Sequence, residues 1–206
     1  MSALRTPARG LRALLCALGC AALLGGCATI EKVETGEQVL GERLVLRLEG
    51  PWNRVDLPGP FQVWTMEGLP VDQLRIFSGL RDGQPVVAGA REGSPRKPLV
   101  FRAAMQPEQV VALFEGMLTR DGSVFTLKKL EPAPFGGVPG FRFEFTLTRK
   151  VDGVELQGLA QGAIADRALY AVMYSAPRLV FYARHAPGVE AMVRQAVLRP
   201  GAPAAP

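Results

Sequence analysis

The sequence holds very little of what catalytic and metal sites are built from. Its 206 residues include one histidine, His185, and three cysteines, Cys16, Cys20 and Cys27, all at or before position 27. If a leader is removed before Cys27, no thiol is left for a disulfide, for nucleophilic catalysis or for a metal. One histidine without thiols leaves only carboxylates to hold zinc, so no metal site is expected. No Gly-x-Gly-x-x-Gly opens a helix and no phosphate loop is present, so no cofactor is expected either. Long apolar runs are missing too. The longest uncharged, mostly apolar stretch, residues 13–26, has 14 residues, whereas a membrane-spanning helix needs about 20. Acids are absent from residues 1–26, which carry Arg5, Arg9 and Arg12. Without that segment the formal charge falls from +5 to +2, and a basic balance of that size does not point to nucleic acid.

What is present begins at the amino terminus. A basic start, an apolar core and the small residues Gly25 and Gly26 form the layout of a secretory signal over 1–26, cut between Gly26 and Cys27. Leu24-Gly25-Gly26-Cys27 resembles a bacterial lipobox, which implies lipidation of Cys27: the thiol takes a diacylglyceryl group, the leader is cut, and the new amine is acylated. Ala28, by resemblance to enterobacterial lipoproteins, implies export to the outer membrane, facing the periplasm. The membrane, through the anchor, is then one partner, and an unidentified envelope protein is the other. The alternative for Cys27 is an ordinary cleaved signal with an incidental cysteine.

Residues 27–41 are polar and read as a tether. Residues 199–206, rich in Pro and Ala, read as a disordered tail. A single domain is expected over 42–198, split by a Gly/Ser/Pro/Arg/Lys loop at 89–98. Period-2 alternation predicts strands over 44–48, 61–65, 74–77, 99–102, 123–130, 141–148, 154–164 and 168–175, and Val71-Asp-Gln reads as one helical turn between two of them. Asp152-Gly153 and Asp166-Arg167 mark tight turns. Pro107 opens a helix carrying Val110, Leu113, Phe114, Met117 and Leu118 on one face, ended by Asp121-Gly122. Pro187 opens a second, with Val189, Met192, Val193, Ala196 and Val197. The expected class is α+β, an antiparallel sheet flanked by helices.

Three stretches carry a resemblance: Gln62-Val-Trp-Thr-Met-Glu-Gly-Leu-Pro70, Phe114-Glu-Gly-Met-Leu-Thr-Arg-Asp-Gly122, and Leu130-Glu-Pro-x-Pro-Phe-Gly-Gly137 with Gly140-Phe-Arg-Phe143. They resemble a family of proteobacterial lipoproteins whose function is uncharacterised. The element order is similar to the PsbP-type α/β/α sandwich. PsbP-type proteins generally bind larger complexes or assist their assembly, so the resemblance implies a binding or assembly module and carries over no catalytic residues.

The side chains offer few sites. A triad of His185 with Ser175 and Asp166 has no support in spacing, and Ser175 lies outside Gly-x-Ser-x-Gly. His185 reads as a polar residue near a helix start. Gly136-Gly137-Val-Pro-Gly140 reads as a loop needing positive φ. Glu144 and Glu155, on the arms of one hairpin, could serve an envelope hydrolase as a carboxylate pair, or could form ion pairs with Arg142 or Arg149. Phe141, Phe143 and Phe145 share a core face. Tyr170 and Tyr174 point away from Leu169, Ala171 and Met173. If one sheet face is open, they form a partner surface with Tyr182; if both are covered, they are buried and hydrogen-bonded. The leading expectation is a lipid-anchored, non-catalytic binding or assembly module, and the alternative is the hydrolase. Carriage of an apolar ligand would require an enclosed cavity.

Overall fold

The computed structural model describes residues 29–87 and 98–201. The leader, Gly26 and Cys27 lie outside the described residues, as do 202–206 and all of the 89–98 loop except Pro98.

The described residues form eleven strands and two α-helices. In chain order the strands are β1 (Ile30–Val33), β2 (Gly36–Leu40), β3 (Leu44–Leu48), β4 (Trp52–Val55), β5 (Gln62–Thr65), β6 (Gln73–Arg81), β7 (Val124–Pro132), β8 (Phe141–Thr148), β9 (Glu155–Ala165), β10 (Ala168–Pro177) and β11 (Val197–Leu198). The helices are α1 (Pro107–Leu118) and α2 (Ala183–Arg194). Eight strands form one sheet in the order β1-β4-β5-β6-β10-β9-β8-β7, and β11-β3-β2 form a second, all paired antiparallel. The protein is therefore more sheet-dominated than an even α+β mixture.

Both faces of the large sheet are covered. On one, α1 packs Val110, Leu113 and Phe114 against Phe77, Phe143, Phe145 and Met173. On the other, α2 and the small sheet bring Val189, Met192, Leu44 and Leu46 against Ile76, Tyr170, Val172 and Tyr174. This explains why β10 is buried along almost its whole length. Burial on two faces turns an alternating strand into a continuous buried run.

Several expectations need correction. Residues 30–40 are strands, not a free tether, so the domain begins before position 42. They escape pattern reading because β1 buries only Val33 and β2 only Leu40, and period-2 reading needs a buried face. The fold also continues past 198. The Arg199 amide donates to the Arg43 carbonyl (2.9 Å), and Arg43 Nε donates back to the Arg199 carbonyl (2.6 Å). Residues 99–102 form no strand; Val100 makes an isolated bridge to Pro85.

α1 starts at Pro107, as the sequence predicts, with the Gln106 amide donating to Gln109 Oε1 (2.8 Å). It ends at Leu118, three residues before Asp121. α2 does not start at Pro187. It grows out of a π-helical turn at Arg178–Tyr182, and Pro187 is its fifth residue. A proline there forfeits one bond, to the Ala183 carbonyl. Residues 69–71 make a hydrogen-bonded turn through Val71 N–H to the Gly68 carbonyl (2.8 Å), not a helix. Asp166 and Arg167 both have positive φ, 47° and 61°, which suits the predicted two-residue hairpin turn.

Candidate functional site

The tyrosine surface does not exist in the fold. Tyr170, Tyr174 and Tyr182 are all buried, beneath α2 and the small sheet. Tyr174 stacks on Tyr182 at 6.0 Å and meets the edge of Trp52 at 6.3 Å. Tyr170 lies under the Arg43 guanidinium, 5.6 Å from its ring centre. Burial pushes the Tyr182 phenol up to about 12. Burial, helped by the charge of Asp72, holds the Tyr174 phenol still higher. Position along the strand was legible in the sequence; the layer that covers it was not.

The other candidates are dispersed. Asp166 sits in the turn before β10, paired with Arg43 at 2.5 Å, whereas Ser175 lies near the far end of that strand. His185 Nε2 lies 2.8 Å from Glu67 Oε1, a contact that lowers the Glu67 pKa. Glu144 faces Leu159 while Glu155 faces Thr148, so four residues of β8, about 13 Å, separate the two positions. Glu144 accepts from Arg142 Nη1 at 2.5 Å, and Arg142 Nη2 reaches Glu190 on α2 at 2.8 Å. Glu144 thus serves an ion pair with Arg142, and Arg149 pairs with Asp152, not with Glu155. Gly136 and Gly137 have the positive φ expected of their loop, 64° and 86°. Among the described residues, no group of three or more His, Cys, Asp or Glu side chains could hold a metal ion.

A different place stands out by its unmet hydrogen bonding. Among the described residues, two buried side-chain polar atoms have no partner: Tyr174 Oη and Arg75 Nη1. Arg75 lies on β6, opposite Val63 of β5 and Met173 of β10. Alternation puts it on the same face as Phe77, beneath α1. It lines a cleft of about 470 Å³ at the end of the sheet, between the carboxyl end of α1 and the ends of β8, β9 and β10. Phe61, Leu69, Val71, Met117, Leu118 and Leu156 give the cleft apolar walls. The charged groups lining it are Arg75, Arg120, Arg149 and Asp121.

The partners of these groups differ. Arg149 is spent on Asp152, through Nε at 3.1 Å and Nη2 at 2.6 Å, and on the Pro70 carbonyl. Asp121 accepts from the Ser123 amide at 2.9 Å, which lowers its pKa. Nearby, the fully buried Asp72 accepts from Thr65 Oγ1 (2.5 Å) and the Glu67 amide (2.8 Å), closing the turn that carries Leu69 and Val71. Arg75 Nη2 donates to Gln73 Oε1 at 2.5 Å, and Nη1 donates to nothing. Desolvation lowers the Arg75 pKa to about 10, so the side chain is still a cation at neutral pH. The sequence carried a signal for this: in Leu74-Arg-Ile-Phe77, the alternation that buries Phe77 puts a charge on the same face.

No protein-family model and no curated protein matches the chain. Among solved structures the chain is similar to CyanoP, the cyanobacterial PsbP of Synechocystis sp. PCC 6803. Identity is 13% over 85% of this chain and 96% of that one, with a TM-score of 0.55. The likeness shows the fold alone, which is PsbP-like. The chain is also similar to a Pseudomonas aeruginosa protein of unknown function, at 11% identity over 87% of this chain and 89% of that one, with a TM-score of 0.43. A third is LpqN of Mycobacterium tuberculosis, involved in cell envelope biogenesis, at 12% identity over 86% and 88% with a TM-score of 0.34.

Proposed function

We propose that the protein is a lipid-anchored, non-catalytic binding module of a bacterial cell envelope, fastened through Cys27 to the outer membrane and facing the periplasm. It would hold an envelope component close to the bilayer, where tethering raises local concentration and lets weak contacts suffice. The anchor rests on Leu24-Gly25-Gly26-Cys27 and on the uncharged run before it. Each buried methylene contributes about 0.8 kcal/mol, and two or three acyl chains suffice for stable attachment.

The observation that carries this reading is the spacing between Cys27 and the fold. The Thr29 carbonyl already accepts from the Asp56 amide at 3.0 Å, and β1 starts at Ile30. Two residues of chain span at most about 7 Å. Acyl chains on Cys27 would therefore bring the β1 edge of the domain to the headgroups. Ile30 and Leu57, both exposed, flank that point. The test is the intact mass of the protein purified from membranes. The expected chain starts at Cys27 and carries two or three acyl groups, and Cys27→Ser moves the protein out of the membrane fraction. Unmodified Cys27 with residues 1–26 still attached would overturn the reading.

A further inference from the structure

We propose that the cleft beneath α1 binds a single-chain anionic amphiphile, its carboxylate or phosphate head on Arg75 and its alkyl chain along Phe61, Leu69, Val71, Met117 and Leu118. This deepens the binding-module reading by naming a ligand class, and it does not depend on lipidation of Cys27.

A buried cation without a counter-charge is strongly unfavourable, and buried charges are as a rule paired. Arg75 has five N–H donors, yet its described bond is the one from Nη2 to Gln73, a neutral amide. Nη1 is fully buried with no partner. Asp121, the carboxylate among the described residues that lines the cleft, is engaged by the Ser123 amide. The guanidinium is thus held in place on a rigid strand with donors to spare. A planar fork of that kind matches the two oxygens of a carboxylate or phosphate.

The walls define the rest of the ligand. The cleft volume of about 470 Å³ falls within the range of about 300–1,000 Å³ usual for small-molecule sites. Apolar side chains line it on both the helix and the sheet side. A neutral amphiphile would fill the walls and leave Arg75 orphaned. A cationic one would place like charges together. Discrimination among the three follows from the head group alone.

Calorimetric titration of the protein as purified from membranes, held in zwitterionic nanodiscs with empty nanodiscs subtracted, tests this. The probes are decanoate, decyl phosphate, decanol and decyltrimethylammonium. At least one anion is expected to bind one-to-one, ten-fold or more tighter than decanol, with the cation weakest; the stronger of the two anions identifies the head group as carboxylate or phosphate. Arg75→Met should abolish the preference for anions while decanol binding persists. Val71→Trp, which fills the cleft and leaves Arg75 in place, should weaken every probe at least ten-fold and serves if Arg75→Met does not fold. Equal binding of decanol and both anions, an anion preference that survives Arg75→Met, or no saturable binding would overturn the inference. In each case the mass at Cys27 would still report separately on the anchor.

Discussion

Tyr174 shows what burial does to a single polar atom. Its ring is held between Trp52 and Tyr182, while its hydroxyl has no partner among the described residues. An unsatisfied buried hydroxyl costs about 1–3 kcal/mol. Tyr174→Phe keeps the ring and removes the orphan, so it should leave stability unchanged or raise it by up to about 1–3 kcal/mol in urea unfolding. The pH dependence has a definite sign. The folded chain holds the Tyr174 phenol above its ordinary value of 10.0, so the unfolded chain ionises first. Stability contributed by the protonated phenol is full below pH 10 and is lost as pH rises. Tyr174→Phe should therefore show a weaker alkaline loss than the parent. A clear loss of stability at neutral pH would mean that the hydroxyl is bonded after all. At this scale the sequence was half legible: alternation gave the side on which Tyr170 and Tyr174 lie, but what covers that side is a tertiary fact.

Among the elements, the hairpin of β8 and β9 is where sequence and structure agree most closely. Phe141–Thr148 is a strand as predicted, because its buried and half-exposed residues alternate without a break. Its packing depends on a missing side chain. A Cβ at Gly158 would lie 2.2 Å from the Phe145 ring on the paired strand. Gly158→Ala should thus destabilise by about 1–3 kcal/mol, the usual cost of overpacking. Gly188 lies in α2 with nothing within 4 Å of its would-be Cβ. Gly188→Ala should stabilise by about 0.5–1 kcal/mol, since glycine loses more freedom on entering a helix. Thermal unfolding of the two variants should move in opposite directions. Elements that pattern reading missed, β1, β2, β4 and β11, are two to five residues long. β1 and β2 bury one residue each, β4 buries only its two ends and β11 has two residues, so none shows the alternation that marks β3 in the sequence. The start of α2 was misplaced for another reason: Pro187 resembles a helix opener, but tertiary packing admits it one turn in.

For the whole molecule, the decisive arrangement is a large sheet covered on both faces and entered from one edge. β1, next to Cys27 in sequence, is that edge, and β7 is the opposite one. Seven strand spacings separate them, roughly 34 Å. With Cys27 acylated as proposed, so short a link should seat the domain on the bilayer by its β1 edge, with the cleft of Arg75 beyond it on the α1 face. The layer order was legible as a class, since strands and helices were placed in nearly the right sequence. The small sheet was not, because it joins residues 36–48 to 197–198, and no local pattern announces a pairing across that distance.

The most direct measurement uses spin labels on the acylated protein bound to vesicles that carry a paramagnetic headgroup lipid. One label replaces Leu57, through Leu57→Cys, beside the Thr29 anchor point; the other, through Val124→Cys, lies on the β7 edge. Strong relaxation at position 57 and little at 124, with both effects lost in Cys27→Ser, is the result predicted. Equal relaxation at the two positions, or none at either with Cys27 acylated, would contradict the seating of this fold at the membrane.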